Sequence, residues 1–134
     1  MKMLWCWRCR QEMPMLEAEE FVLVQQARMH GMAVVEREAR RRGRVLNLMP
    51  PDTLIARHHQ PVLEMYWLLT GFAETNVNAV WHHVVDQYGP PCPQCHKPLR
   101  TPQARFCVAC GFGKDDVTPD SLPLVQRRPA LFRK

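Results

Sequence analysis

Apolar residues recur every three or four positions along much of the chain, which is the spacing that places them on one face of an α-helix. The clearest stripe consists of Val77, Val80, Trp81, Val84, Val85 and Tyr88. Asn76 or Asn78 can cap this helix, and Gly89, followed by two prolines, ends it. Strict alternation of apolar and polar residues is not sustained, so strands are expected only as very short hairpins around the cysteines.

Further helical segments precede this stripe, and they are separated by residues that disfavour helix interiors. Gly31 and Pro61 are interpreted as two of the breaks, since glycine and proline weaken a helix. The predicted segments are 14–31, 32–42, 52–58 and 62–70. The chain is therefore expected to be mainly α, with a small helical body of four or five helices.

The composition is that of an ordinary globular protein. The 134 residues are 46% hydrophobic and 23% charged, which excludes wholesale disorder and leaves room for about one compact domain. No apolar run approaches the ~18 residues that a membrane span needs, so no membrane partner is expected. The first residues lack a signal-peptide pattern, and all six cysteines lie in Cys-x2-Cys pairs, which favours zinc binding in a reducing cytoplasm over disulfides.

The second and third cysteine pairs have the spacing of a four-cysteine zinc ribbon, Cys-x2-Cys-x11-Cys-x2-Cys. The four ligands of this first site are Cys92, Cys95, Cys107 and Cys110. Gly111 follows the last ligand, where a positive φ is common, and His96 occupies the corresponding place in the first pair. The alternative, four unligated cysteines, is disfavoured because so short a proline-rich segment cannot bury a sufficient core. Four thiolates close the coordination sphere, so this zinc is expected to be structural.

The first pair, Cys6 and Cys9, needs two more ligands if it binds a second zinc ion. The candidates are His30, His58, His59, His82, His83 and His96. His82 and His83 are favoured, with Asp86 one turn away to orient an imidazole, although solvated histidines on a helix surface remain the alternative. A thioredoxin-like redox pair is disfavoured because only five residues precede Cys6.

Charge and cysteine position suggest four regions. Residues 1–89 hold ten basic and ten acidic residues, whereas residues 90–134 hold eight basic and three acidic ones and thus the whole net charge of +5. The regions are an N-terminal cysteine knuckle (1–13), a helical body (14–89), a zinc ribbon (90–113) and a Pro-rich basic tail (114–134).

Catalytic chemistry has little support in the sequence. Ser121 is the single serine and lies in a proline-rich stretch, which excludes a Ser-His-Asp nucleophile. There is no Gly-rich phosphate loop, zincin motif or deaminase signature. The chain is therefore not expected to be an enzyme. An enzyme would require an open metal site near Cys6 and Cys9.

Several segments together resemble a group of small bacterial proteins with a C-terminal zinc ribbon. They are Leu4–Cys9, Met13–Leu16, Gly71-Phe72, Glu74–Asn76, Asn78-Ala79, Trp81–His83, Tyr88–Cys92 and Lys97–Pro102. The resemblance covers the first sixteen residues and roughly residues 71–111, and it departs at His96, where these proteins usually have glycine. Some of them are similar to immunity proteins encoded beside polymorphic toxins, including nuclease effectors of type VI secretion. The resemblance implies a noncatalytic cytoplasmic protein that binds and neutralises a cognate toxin, with Trp81-His82-His83 near metal or partner.

Two functions from different classes follow. An immunity protein for a nuclease would present acidic residues to the basic cleft of its toxin. The candidate acids are Glu12, Glu17, Glu19 and Glu20, or else Asp115, Asp116 and Asp120. The alternative is a nucleic-acid-binding zinc ribbon, whose phosphate contacts would come from Lys97, Arg100 and Arg105. The basic residues of the tail would add reach: Arg127, Arg128, Arg133 and Lys134.

Overall fold

The computed structural model describes residues 1–41, 43 and 51–113, with side chains described for all but residues 51–55 of these. The chain divides into two compact units, Met1–Gln87 and Tyr88–Lys134. The basic tail, with its arginines and its three aspartates, lies outside the described residues.

The first unit opens with a two-stranded antiparallel hairpin, β1 (Lys2–Cys6) and β2 (Gln11–Met15), whose turn carries Cys9. Pro14 lies in β2, so the predicted helix start at this proline is wrong. The Pro14 carbonyl accepts a hydrogen bond from the Tyr66 hydroxyl at 2.7 Å. The N–H and C=O groups of one strand residue point to the same side of the strand. Since the Pro14 carbonyl points away from β1, an N–H at this position would also point away from β1, and its absence removes no hydrogen bond between the two strands.

The first helix, α1 (Ala18–Arg41), is continuous through Gly31 and replaces two predicted helices. The backbone N–H of Glu17 donates to the Glu20 carboxylate at 2.8 Å, which caps the helix start. Gly31 is buried, and a Cβ at this position would collide with the backbone carbonyl of His58 in the next helix. The glycine therefore permits close helix packing and does not mark a break.

The second helix, α2 (Pro51–Thr70), likewise joins two predicted segments and contains Pro61 in its interior. Val62 and Tyr66, which follow the proline, are fully buried. Packing of these side chains in the core compensates for the backbone hydrogen bond that proline cannot donate.

The third helix, α3 (Val77–His82), begins at the N-cap Asn76 and stops six residues before the predicted end at Tyr88. The helix cannot continue because the chain pairs with the segment that follows β2. The Leu16 N–H donates to the His83 carbonyl at 2.8 Å, and the Val85 N–H donates to the Leu16 carbonyl at 2.9 Å. A single 3-10 turn follows. The described residues thus contain three α-helices, not the four or five expected, and two strands.

The core of the first unit lies where the hairpin end, α1, α2 and α3 meet. Its fully buried members are Leu16, Val24, Val62, Tyr66 and Val80. Phe21 and Trp81 pack edge to face at its border, with ring centroids 5.9 Å apart. In the described part of the chain, no helix combines the length and apolarity that crossing a bilayer requires. The fold is small, helix-rich and built around one end of the hairpin.

Substitution Gly31→Ala tests the close contact between α1 and α2. Helix propensity alone would stabilise the protein by about 1 kcal/mol. The collision with the His58 carbonyl predicts instead a loss of about 1–3 kcal/mol in the free energy of unfolding, measured by chemical denaturation. Met32→Ala, at the exposed neighbouring position, should change stability by less than about 0.5 kcal/mol. A more stable Gly31→Ala variant would contradict the packing described here.

Candidate metal centres

The second unit gathers its four cysteines around one point. The Sγ atoms of Cys92 and Cys110 are 3.6 Å apart, and those of Cys95 and Cys107 are 3.5 Å apart. All four sulfur atoms lie within 4.8 Å of one another. This cluster, here called the four-cysteine site, has a geometry that could hold a metal ion with four protein ligands.

Two knuckle turns produce this convergence. The N–H of His96 donates to the Cys92 carbonyl at 2.9 Å, and the N–H of Gly111 donates to the Cys107 carbonyl at 2.8 Å. Both donors have positive φ, 61° and 80° respectively, as the sequence predicted. Each turn therefore closes immediately after its second cysteine and directs both sulfur atoms to the same side.

Backbone donors surround the sulfur atoms unequally. Burial would raise the pKa of Cys107, but the backbone N–H groups of Cys110 and Ala109 lower that pKa to about 7. The Phe112 N–H would lower the pKa of Cys110, but burial and the neighbouring thiols raise it to about 12. The Cys107 thiol is thus prepared for ionisation, whereas ionisation of Cys110 needs a cation that offsets repulsion from its neighbours.

The first unit contains a second cluster, here called the mixed site, formed by Cys6, Cys9, His82 and His83. The Cys9 sulfur lies 3.4 Å from Nε2 of His82 and 3.3 Å from Nε2 of His83, although 73 and 74 residues separate them along the chain. All four candidate ligand atoms lie within 4.8 Å of one another. The structure therefore brings together both histidines favoured from the sequence.

The hairpin turn of the first unit is a third knuckle of the same kind. The N–H of Arg10 donates to the Cys6 carbonyl at 2.8 Å, and Arg10 has a φ of 57°. In addition, the Cys9 N–H donates to the Cys6 sulfur at 3.4 Å. The sequence predicted a knuckle at this cysteine pair but not the positive φ at Arg10, because arginine seldom adopts the left-handed conformation.

Tyr66 orients His83 and was not found from the sequence. Its hydroxyl donates to the Pro14 carbonyl and lies 3.1 Å from Nδ1 of His83. Because the hydroxyl proton is already engaged, Nδ1 must supply the second proton, which leaves Nε2 as a lone-pair donor facing Cys9. A buried hydrogen bond on the far ring nitrogen is the usual support of a metal-binding histidine. Asp86, expected in such a role, is exposed in the 3-10 turn.

Burial sets the protonation of the mixed site. It lowers the pKa of His83 to about 4, with His82 acting in the same direction, and it also lowers the pKa of His82. Burial raises the pKa of Cys9 to about 11, assisted by Cys6. The imidazoles are therefore neutral at pH 7, as metal ligation requires, and metal uptake would release protons from the thiols.

The remaining histidines lie elsewhere. His58 and His59 stand side by side in α2 with ring centroids 4.5 Å apart, His30 is exposed on α1, and His96 is exposed in the first ribbon knuckle. Within the described residues, the four-cysteine site and the mixed site are the two groups of three or more such side chains whose ligand atoms converge.

No family model, no curated protein and no solved structure matches this chain. The resemblance noted in the sequence therefore stays a prediction.

Substitution Tyr66→Phe tests the support of His83. Without the hydroxyl, Nδ1 of His83 and the Pro14 carbonyl lose their partner, and affinity for metal at the mixed site should fall by about 10- to 100-fold. Chelator competition should then remove one metal ion per chain faster than in the parent protein. The ion at the four-cysteine site serves as the internal control and should leave at an unchanged rate. Equal loss from both sites, or from neither, would contradict the assignment.

Proposed function

We propose that this protein is a noncatalytic binding protein whose two clusters hold structural zinc ions, and that it binds and neutralises a partner protein. The observation that carries the proposal is the donor count of each cluster. Each offers four Cys or His side chains around one point. Four protein ligands fill a tetrahedral sphere and leave no position for a reactive water or a substrate.

The distances and donor types favour zinc. Zn–S bonds of about 2.3 Å and Zn–N bonds of about 2.0–2.1 Å imply S···S edges of about 3.8 Å and S···N edges of about 3.5 Å in a tetrahedron. The sulfur pairs at 3.5 and 3.6 Å and the sulfur–nitrogen pairs at 3.3 and 3.4 Å are close to those edges. Thiolate and imidazole in tetrahedral arrangement are typical of structural zinc.

The two zinc ions would stabilise different parts of the structure. In the described part of the second unit, the buried residues are Cys92, Pro98 and Cys107, which is too little apolar material for an independent core. Metal binding at the four-cysteine site therefore supplies the folding energy of the ribbon. In the first unit, an ion at the mixed site fastens the hairpin turn to the end of α3.

We further propose that the partner is a bacterial toxin, and that the protein acts as its immunity protein. The resemblance of the sequence to zinc-ribbon immunity proteins supports this, as do the closed metal sites. Of the acids first considered, Glu20 caps α1 and lies 2.8 Å from the Met1 amino group, while Glu17 lies 3.2 Å from Nζ of Lys2. Glu12, on strand β2, is exposed and better placed to meet a basic cleft.

Charge argues against nucleic acid binding by the ribbon. Four thiolates around Zn2+ carry a formal charge of about −2, which offsets two of the three positive charges at Lys97, Arg100 and Arg105. Lys97 is also half-buried, whereas Arg100 and Arg105 are exposed. Phosphate binding would weaken steeply as salt rises, and a packed protein interface would not.

Affinity capture from the native bacterium, followed by co-expression, tests the function. The captured protein should arrest growth when expressed alone, and co-expression of this chain should restore growth. Recovery of nucleic acid alone, with affinity that falls steeply between low and moderate salt, would contradict the proposal and favour the ribbon alternative.

Charge reversal at Glu12 tests the acidic contact. If the toxin is a nuclease with a basic cleft, Glu12→Arg should weaken its binding by about tenfold or more, measured by titration calorimetry. Glu64→Arg, at an exposed carboxylate of α2, is the matched control and should leave affinity unchanged. Equal affinities for the Glu12→Arg variant and the parent would show that Glu12 lies outside the interface.

A further inference from the structure

The side of α1 that faces away from the core carries an ordered stripe, here called the outer stripe. Its members follow a spacing of three and four residues: Glu19, Val22, Gln26, Met29, Ala33, Arg37 and Arg40. The buried residues of the helix lie on the opposite side: Val24, Ala27, Gly31, Val35 and Ala39. All seven members of the outer stripe are exposed. Residues with this spacing share one face of the helix, along which a second helix can pack.

The centre of the outer stripe lacks charge. Between Glu20 and Glu36, α1 contains a single Lys, Arg, Asp or Glu residue, Arg28. That side chain stacks over Trp81, 5.6 Å from the ring centroid, and so points away from the stripe. Met29 is 68% exposed and Val22 is 48% exposed. Depletion of charge together with exposed methionine is the composition of an interface centre, not of a solvated helix face.

The ends of the outer stripe carry opposite charges. Glu19 lies in the first turn of α1, and Arg40 lies in the last. Within the described residues, no ion pair engages Glu19, Arg37 or Arg40. A second α1 laid antiparallel would bring each acidic end against a basic end and would align the helix dipoles favourably.

We propose that the outer stripe is a self-association surface, on which α1 pairs antiparallel with α1 of a second copy of this chain. A twofold axis beside Met29 places Glu19 of one copy near Arg40 of the other, and small Ala33 opposite Gln26. This arrangement is self-complementary, as a twofold interface must be. A parallel pair would instead place like charges together at both ends.

The contact of one helix with its copy is small, so the dimer is expected to dissociate in the micromolar range or above. The proposal is independent of the toxin, because its test contains this chain alone. The metal-loaded full chain is examined by sedimentation equilibrium over a concentration series, with circular dichroism and metal content as folding controls.

A charge at the centre of the stripe tests its location. Met29→Glu should weaken dimerisation by at least tenfold, because it buries two carboxylates near the axis. Leu68→Glu is the matched control, since Leu68 is equally exposed at 68% but lies on α2. A parent protein that stays monomeric at its highest soluble concentration would overturn the proposal. So would a dimer that Leu68→Glu dissociates and Met29→Glu leaves intact.

Charge exchange at the ends tests the orientation. Glu19→Arg alone and Arg40→Glu alone should each weaken the homodimer by about tenfold, because like charges then meet at both ends. Mixing the two variants should restore dimerisation, since both end contacts of the mixed dimer are again of opposite sign. The double variant should also dimerise as the parent does. Failure of the mixture to recover would overturn the antiparallel arrangement.

Discussion

The rest of the structure depends on one electrostatic requirement. A cation must offset the repulsion between neighbouring sulfur atoms. Four sulfur atoms paired at 3.5 and 3.6 Å cannot all ionise without a positive charge between them. The zinc ion proposed for this site would supply that charge, and structural zinc has an apparent binding energy of about 10–16 kcal/mol in small zinc domains. A ribbon with so few buried residues would therefore fold around such an ion, and its backbone donors determine where each sulfur atom points.

In the first unit, one side chain links the candidate metal ligands to the hydrophobic core. Tyr66 is fully buried among Leu16, Val24, Val62 and Val80, and its hydroxyl bridges the Pro14 carbonyl of the hairpin and the His83 imidazole. Packing of the core thus fixes the tautomer that His83 presents to Cys9, and a metal ion at the mixed site would hold the hairpin against α3. A substitution that lowers the free energy of unfolding of this unit should therefore also lower its affinity for metal.

The sequence predicted the two clusters of Cys and His side chains better than it predicted where the helices begin and end. Cysteine spacing identified the four cysteines that converge in the second unit, and the positive φ at Gly111 and His96 follows from the knuckle turn. The helix breaks predicted at Gly31 and Pro61 are wrong because tertiary packing overrides helix propensity. Gly31 allows close contact with the backbone of α2, and buried side chains next to Pro61 stabilise the helix around it. Tyr66 could not be found because its role depends on partners 52 and 17 residues away.

The proposed function depends on two closed metal centres, one in each cluster of converging Cys and His side chains. The most direct test is the metal content of the purified protein, by native mass spectrometry with zinc X-ray absorption. We expect two zinc ions per chain and an average shell of three sulfur and one nitrogen donors. A chain without tightly bound metal, or a shell that contains an exchangeable water oxygen, would contradict this account.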